Sequence, residues 1–325
     1  NLTQTDEALA QFYLQDRNWN LEISVNHYFE DISKQNLKRK SQFQTNHNND
    51  NNDSSDSTKM AKTETIGDNS ISSELNASSS ACDQLKDFRF ITWNIDGLNE
   101  RNIRIRTEAV CNKIKSENAI IVFLQEVIPS TESILRQNLP KYEFFSSNEN
   151  AVDYYTLTLI NKELVKVESN QIIDFEETSM GRNLLKTRVT IGKTSLCLLN
   201  AHLESTKDFA ETRINQLRKA FKEITAIPKT DTVIFAGDLN LRDKEVSKVS
   251  IPNGLVDVWI ETGQRKEVQF TWDMMRNDNL LFEGKFKPRC RFDRVYFRQS
   301  TPPTVEAINF GLIGLERLKP HVCFP

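Results

Sequence analysis

The chain has 325 residues, of which 38% are hydrophobic and 27% charged, and its formal net charge at pH 7 is −3. That length exceeds one average domain but suits a single large α/β domain with an appendage, and the near balance of charge excludes bulk attraction to nucleic acid, leaving a local basic groove as the route to it. No apolar stretch approaches bilayer length and Asn1-Leu2-Thr3 opens no leader, so a soluble chain with no membrane contact is expected, begun as a fragment because no initiating Met is present.

Residues 5–31 carry two short amphipathic patterns, Leu9, Phe12 and Tyr13 on one and Val25, Tyr28 and Phe29 on the other, joined around Asn18-Trp19-Asn20 with Asn20 as N-cap. Two helices this short bury too little surface to stand alone, so a third element is expected upstream. The order Leu14, Trp19, Leu21-Glu22, Val25 resembles the last two helices of a ubiquitin-associated (UBA-like) domain, with a generic helical hairpin as the alternative. Residues 1–35 are therefore read as a UBA-like segment. From 36 to 85 the chain is Asn, Ser, Asp, Lys and Thr, including Asn48-Asn49-Asp50-Asn51-Asn52-Asp53, a composition that cannot offset its ordering entropy and reads as a disordered linker. Lys38-Arg39-Lys40 within it is taken as a solvated charge cluster rather than an import signal.

From residue 86 onward strands and helices alternate. Strands are expected at Phe90–Ile95, Ala119–Leu124, 155–160, 185–191, 194–202, 232–237, 268–272 and 290–297. Helices are expected around Ile103, Val110 and Ile114, at 130–139, and at 206–226, where Ile214, Leu217, Phe221 and Ile224 share a stripe and Pro228 ends the element. So many strands exceed one small sheet, and each sheet must bury a face. The expected fold is α/β: two packed mixed β-sheets flanked by helices, a four-layer α/β sandwich, over 86–325. The five cysteines, Cys82, Cys111, Cys197, Cys290 and Cys323, form no CxxC pair, which argues for reduced, intracellular thiols and against a zinc cluster.

Polar groups terminate several of the apolar runs. Glu126 follows Val122-Phe123-Leu124-Gln125, Asp238 and Asn240 follow the run ending at Gly237, His202 follows Leu198-Leu199-Asn200-Ala201, and Asn94 follows Ile91-Thr92-Trp93. Strands buried on both faces read as such runs, and α/β sheets bind ligands outside strand ends. Glu, Asp, two Asn and His make a hard, oxygen-rich donor set suited to Mg²⁺, with Mn²⁺ as the other candidate, and to a phosphate ester.

In order along the chain, Thr92-Trp93-Asn94-Ile95-Asp96-Gly97, Phe123-Leu124-Gln125-Glu126-Val127, His202-Leu203-Glu204-Ser205, Gly237-Asp238-Leu239-Asn240-Leu241-Arg242-Asp243, Thr271-Trp272-Asp273 and Arg291-Phe292-Asp293-Arg294 resemble the endonuclease/exonuclease/phosphatase superfamily and, within it, the 5′-tyrosyl-DNA phosphodiesterases. The likeness covers essentially all of residues 88–325. It implies Mg²⁺-dependent hydrolysis of 5′-phosphotyrosyl bonds, with DNA 5′ ends bearing tyrosyl or peptide adducts of type II topoisomerases as partners and a nuclear location with the cytoplasm as a second site. The UBA-like segment adds ubiquitin as a candidate partner, and a monomer is the default for a sequence silent on oligomeric state.

Glu126 is the expected Mg²⁺ ligand, with Asp96 as a weaker candidate that turn chemistry explains equally well. Asn94 is placed near the metal and the attacking oxygen, Asp238 as the group that orients or deprotonates water, Asn240 and His202 as phosphate contacts. Arg182 is similar to a phosphate-facing arginine of the family, and Arg242, Trp272, Phe292, Tyr154 and Ser205 fall on its substrate side. Asp293 matches an aspartate that in the superfamily orients a histidine of a Ser-Asp-His motif; the sequence given ends at Pro325, where that motif would begin, and His321 precedes the matched Phe324-Pro325 pair. A clipped fragment or a severely impaired enzyme is the expectation there. The alternatives are another DNA endonuclease of the superfamily and a noncatalytic ubiquitin- and DNA-binding adaptor.

Overall fold

Apolar runs broken by turn residues fold the second part of the chain into two face-to-face sheets, seen here in a computed structural model that describes residues 85–147, 153–277, 279, 287–319 and 323–325. The segments expected over residues 1–84 lie outside the described residues.

The first sheet holds four strands in the order β1-β2-β4-β3: β1 (Phe90–Asn94), β2 (Ile121–Val127), β4 (Tyr155–Asn161) and β3 (Tyr142–Ser146). β1 and β2 run parallel, joined by helix α1 (Ile103–Glu117), and the other pairs are antiparallel. Helix α2 (Pro129–Asn138) starts on a proline, whose fixed φ and missing N–H suit a first turn. α1 turns its buried Val110, Cys111 and Ile114 to the sheet and stops at Asn118, a left-handed residue whose N–H caps the Ile114 and Lys115 carbonyls.

The second sheet has six strands in the order β5-β6-β7-β8-β12-β9: β5 (Lys166–Asp174), β6 (Asn183–Ile191), β7 (Thr194–His202), β8 (Thr232–Asp238), β12 (Asp293–Arg298) and β9 (Leu255–Asp257). β7 and β8 are parallel, with α3 (Ala210–Ala226) between them, and all other pairs are antiparallel. The short helices α4 (Asp243–Val246) and α5 (Val258–Glu261) follow β8 and β9, and β10 (Trp272–Asp273) pairs with β11 (Arg289–Cys290).

Three apolar clusters account for the layering. Phe123, Ile121 and Ile160 of the first sheet meet Leu196, Leu198, Ile234 and Phe297 of the second in the centre. α1 and α2 cover the outer face of the first sheet through Val110, Ile114 and Leu135. α3 covers the second through Leu217, Phe221 and Ile224. The result is the four-layer sandwich expected from the strand count.

A buried polar chain crosses the central layer. Gln125 Nε2 donates to Asn200 Oδ1 (2.9 Å) and to Thr92 Oγ1 (3.2 Å), while Asn200 Nδ2 donates to the Leu157 carbonyl (3.1 Å) and Thr158 Oγ1 (3.3 Å). It fixes the register of one sheet against the other, because a slip would strand amides in an apolar interior.

Three strands went unseen in sequence, β3, β5 and β9. β5 is an edge strand whose side chains are mostly exposed, so it carries no apolar run. The expected strand at 268–272 is instead a 3₁₀ turn at Lys266–Val268 followed by the two-residue β10. Only Trp272 and Asp273 find a partner strand there, so the alternation of Val268 and Phe270 lacks a ladder to complete. The expected strand at 290–297 is split at Arg291 and Phe292, where the Phe292 carbonyl turns to accept the Leu239 N–H at 3.0 Å.

Candidate active site

The C-terminal ends of β1, β2, β7 and β8 lie together, with the antiparallel β12 starting opposite β8, so that Asp293 pairs with Asp238 in register. Glu126, His202 and Asp238 each offer a ligand atom within 4.8 Å of the others. Asn94 Nδ2 bridges the two carboxylates, donating to Glu126 Oε1 at 2.8 Å and to Asp238 Oδ2 at 2.9 Å. The first sheet thus supplies Asn94 and Glu126, and the second supplies His202, Asp238 and Asp293.

Local backbone geometry aims these groups. Asp96, Glu126 and Asn240 all have left-handed φ, 51°, 54° and 51° respectively. For non-glycine residues that conformation costs of order 1–3 kcal/mol each and clusters at functional sites. Glu126 sits where the β2–β4 register shifts, so the bulge swings its carboxylate out of the sheet and into the crevice. Two glycines permit the close approaches behind it: a Cβ on Gly97 would fall 2.0 Å from the Glu126 carbonyl oxygen, and one on Gly237 1.8 Å from that of Ala201.

Burial raises the pKa of the Glu126 carboxyl, which the Asn94 hydrogen bond opposes and the nearby Asp238 charge reinforces. Burial likewise raises Asp238, again opposed by Asn94. Asp293 is pushed up to about 7 by burial and then by Asp238, against the hydrogen bond from Thr271. Crowded, desolvated carboxylates of this kind could hold a cation.

His202 is oriented by Arg182, whose Nη1 lies 2.7 Å from Nδ1. A guanidinium has only donors, so Nδ1 accepts and the neutral ring carries its proton on Nε2. Burial, and then the Arg182 charge, pull the imidazole well below its usual pKa, which keeps it neutral. Nε2 is buried with no hydrogen-bond partner among the described residues and faces Asp238 Oδ2 at 3.6 Å and Glu126 Oε1 at 4.0 Å. A protonated Nε2 is a donor for an anionic oxygen and not a metal ligand, so the cluster divides into two oxygen donors for a cation and one N–H donor for an anion. Arg182 stacks on Tyr154, with Cζ 4.9 Å from the ring centroid, and donates through Nη2 to Ser205 Oγ at 3.1 Å.

Asn240 donates its backbone N–H to Asp238 Oδ1 (3.1 Å) and its side-chain amide to the Leu203 carbonyl (3.2 Å). Arg242 donates to the Asn240 carbonyl at 3.1 Å and covers Phe292 at 5.3 Å, while Phe292 lies 5.6 Å from Trp272. These three form a shelf of cation and aromatic faces. Asp96 stands beside the cluster, with its carboxylate accepting from Asn99 Nδ2 (3.1 Å) and facing Arg106 Nη1 (3.5 Å).

Sequence reasoning passed over several residues that hold this arrangement. Buried Arg106 donates to the carbonyls of Ile95 (3.0 Å), Asp96 (2.9 Å), Asn99 and Arg101, stapling the loop after β1. Thr271 Oγ1 receives the Asp293 N–H at 3.0 Å. Arg291 and Arg294 pair with Asp257 and Asp243 beneath the shelf. An isolated Arg on a helix leaves no sequence signal for such a role; Thr271, next to Trp272 in a matched motif, offered one.

The profile of the endonuclease/exonuclease/phosphatase family matches residues 91–311, and that of the UBA-like domain matches residues 1–33. Tyrosyl-DNA phosphodiesterase 2 of Homo sapiens is 37% identical over 321 residues, 98% of this chain and 85% of that protein. The protein of the same name from Xenopus laevis is 36% identical over 326 residues, 98% and 86% of the two chains. The structure of Danio rerio TDP2 complexed with single strand DNA product has a TM-score of 0.68 at 36% identity, covering 72% of this chain and 93% of that one. TDP2 from Caenorhabditis elegans gives 0.66 at 30% identity, over 99% and 86%. With the matched motifs now seated around one crevice, the chain belongs to the endonuclease/exonuclease/phosphatase family and, within it, to the tyrosyl-DNA phosphodiesterase 2 enzymes.

Proposed function

We propose that the chain hydrolyses the bond between a tyrosine side chain and a DNA 5′-phosphate, releasing tyrosine or peptide and leaving a 5′-phosphate, with Mg²⁺ as cofactor and Mn²⁺ as a working substitute. The observation that carries this reading is the meeting of Glu126, Asp238 and His202 within 4.8 Å. The aromatic shelf nearby and relatives named for this bond support the substrate. The donor chemistry fits a hard dication: two carboxylates share one amide donor, and burial holds both above their usual pKa. Glu126 would hold the Mg²⁺, which would supply positive charge against the negative charge that gathers on the phosphate oxygens in the transition state.

The chain's own groups do the rest. Asn94 fixes the spacing of the two carboxylates. Asp238, steadied through Oδ1 by the Asn240 N–H, orients water in line with the scissile bond and takes its proton. His202 donates Nε2–H to a nonbridging oxygen, and Arg182 adds a fixed positive charge behind it. Phe292, Trp272 and Arg242 receive the 5′-terminal bases, for which stacking contributes roughly 1–3 kcal/mol per base. The relative solved with a single-strand DNA product supports a single-stranded end as the occupant.

The same reading makes adducts of stalled type II topoisomerases the substrate and the nucleus the place of action, with the cytoplasm second. It divides the chain into a ubiquitin-binding UBA-like segment at 1–35, a linker at 36–85 and a catalytic domain at 86–325, acting as a monomer; the UBA-like match to residues 1–33 supports the first of these. The test compares a 5′-phosphotyrosyl oligonucleotide with an abasic duplex in MgCl₂, using the full chain. Release of tyrosine from the first is expected, and preference for the second overturns the substrate. Titration of the labelled full chain with ubiquitin should shift signals within 1–35, and none shifting removes that partner.

A further inference from the structure

Arg182 reaches His202 from a loop with no regular structure of its own, so side-chain contacts must set its position. The loop between β5 and β6 turns on two left-handed residues, Glu177 (φ 59°) and Gly181 (φ 65°). Its hydrogen bonds converge on one buried carboxylate. Glu204 is 0% exposed and accepts from Thr178 Oγ1 (2.9 Å), the Ser179 N–H (2.8 Å) and Gln216 Nε2 (3.0 Å). The Thr178 hydroxyl, having donated to Glu204, accepts from the N–H of Met180 (3.3 Å) and of Arg182 (2.8 Å). Its single proton and both lone pairs are then used. Glu204 is itself pinned from behind, its N–H donating to Gln216 Oε1 (2.8 Å) and its carbonyl accepting from Arg213 Nη1 (2.8 Å) on the buried face of α3.

We propose that Glu204 is a positioning residue for the reaction, acting through Thr178 to hold Arg182 against His202. The relay runs from the rigid end of β7 to the loop hydroxyl, from the hydroxyl to the Arg182 backbone, and from its guanidinium to His202 Nδ1 at 2.7 Å. Burial lowers the Arg182 pKa, opposed by the charges of Tyr154, Asp238, Glu126 and, least, Glu204, so Glu204 acts chiefly through geometry. A displaced Arg182 would release the His202 tautomer, and the Nε2 proton would no longer be fixed on the side of the phosphate.

This inference rests on the phosphodiesterase reading, and a double-mutant cycle separates the two. Thr178 is only half-buried, so Thr178→Val keeps volume and fold while removing the relay hydroxyl. The expected result is a kcat on 5′-phosphotyrosyl oligonucleotide lower by about 10- to 100-fold with little change in KM, the loss typical of a hydrogen bond to a charged group. Thr178→Ser should restore the rate. In an Arg182→Ala background Thr178→Val should cost nothing more, because its effect passes through Arg182. Glu204→Gln, which keeps shape and one acceptor, should show the same dependence on Arg182. Equal losses in both backgrounds, or no loss in either, overturn the inference. A wild-type chain inert on the tyrosyl substrate sinks the functional reading instead; the cycle is then read as affinity for a 5′-phosphorylated oligonucleotide, where the same pattern decides.

Discussion

Replacing Glu126 by Gln separates two effects that carry opposite signs. In the metal-free protein the Glu126 and Asp238 oxygens lie within 4.8 Å of one another. At an effective dielectric of about 20 two unit charges at that distance repel by roughly 3 kcal/mol, part of which the bridging Asn94 amide offsets. Glu126→Gln removes one charge and keeps the shape, so the variant should gain about 1–3 kcal/mol in EDTA at pH 8, a rise in Tm of roughly 2–4 °C per kcal/mol for a domain of this size. The folded-state pKa of Glu126 is raised, so its ionisation penalty is absent below the unfolded pKa and grows as pH rises; the gain should shrink as pH falls. The second effect is loss of function: Mg²⁺ should no longer raise Tm, and turnover should drop by about a thousandfold or more, since a metal ion contributes several kcal/mol to the transition state. Scanning fluorimetry with and without MgCl₂ measures both arms. A variant that is less stable than wild type in EDTA at pH 8 and is still stabilised by Mg²⁺ would refute the reasoning.

Asp293, pushed up to about 7, favours the folded state when protonated and works against it when ionised. Relative to wild type, Asp293→Asn in EDTA should therefore gain stability as pH climbs from about 4 to 7, at up to about 1.4 kcal/mol per pH unit, and level off above; a difference independent of pH in urea melts contradicts this. Phe292→Ala should weaken binding of a single-stranded 5′ end by about 1–3 kcal/mol, some 5- to 150-fold in KM, while sparing hydrolysis of a small phosphotyrosyl diester; equal loss on both substrates argues for a core role. Gly237→Ala, whose Cβ would meet the Ala201 carbonyl at 1.8 Å, should cost more than about 3 kcal/mol by forcing β7 from β8, and an unchanged Tm speaks against that contact. Arg298 donates to the carbonyls of Ile224, Ile227, Pro228 and Asp231 at the end of α3, so Arg298→Met should lose about 3 kcal/mol in urea melts, and less than 1 would show the carbonyls finding other partners.

The candidate site groups were legible because each ends a mainly apolar run, and such a run places its last side chain at a strand terminus. Asn94, Glu126, His202 and Asp238 follow that logic and meet as it requires. The two-sheet fold was legible for the same reason. Edge strands were not: β5 is solvated along most of its length, so its sequence resembles a loop. The supports of the site were hidden for a different cause. Arg106 and Glu204 act by hydrogen bonds to backbone atoms distant in sequence, and no periodicity records which carbonyl or N–H a long side chain will find. The His202 tautomer, which decides between ligand and donor, depends on a single guanidinium contact and surfaces only in three dimensions.

The Gln125–Asn200 bond ties the two slabs of the sandwich immediately beneath residues that each slab contributes to the candidate site. Catalysis is consequently a vernier for interlayer slippage: a shear of about an ångström, too small to alter helix content or expose much apolar area, would already pull Glu126 from Asp238. Mild denaturant should therefore silence turnover well before ellipticity changes, and a Gln125→Leu chain should show the widest gap between the two midpoints.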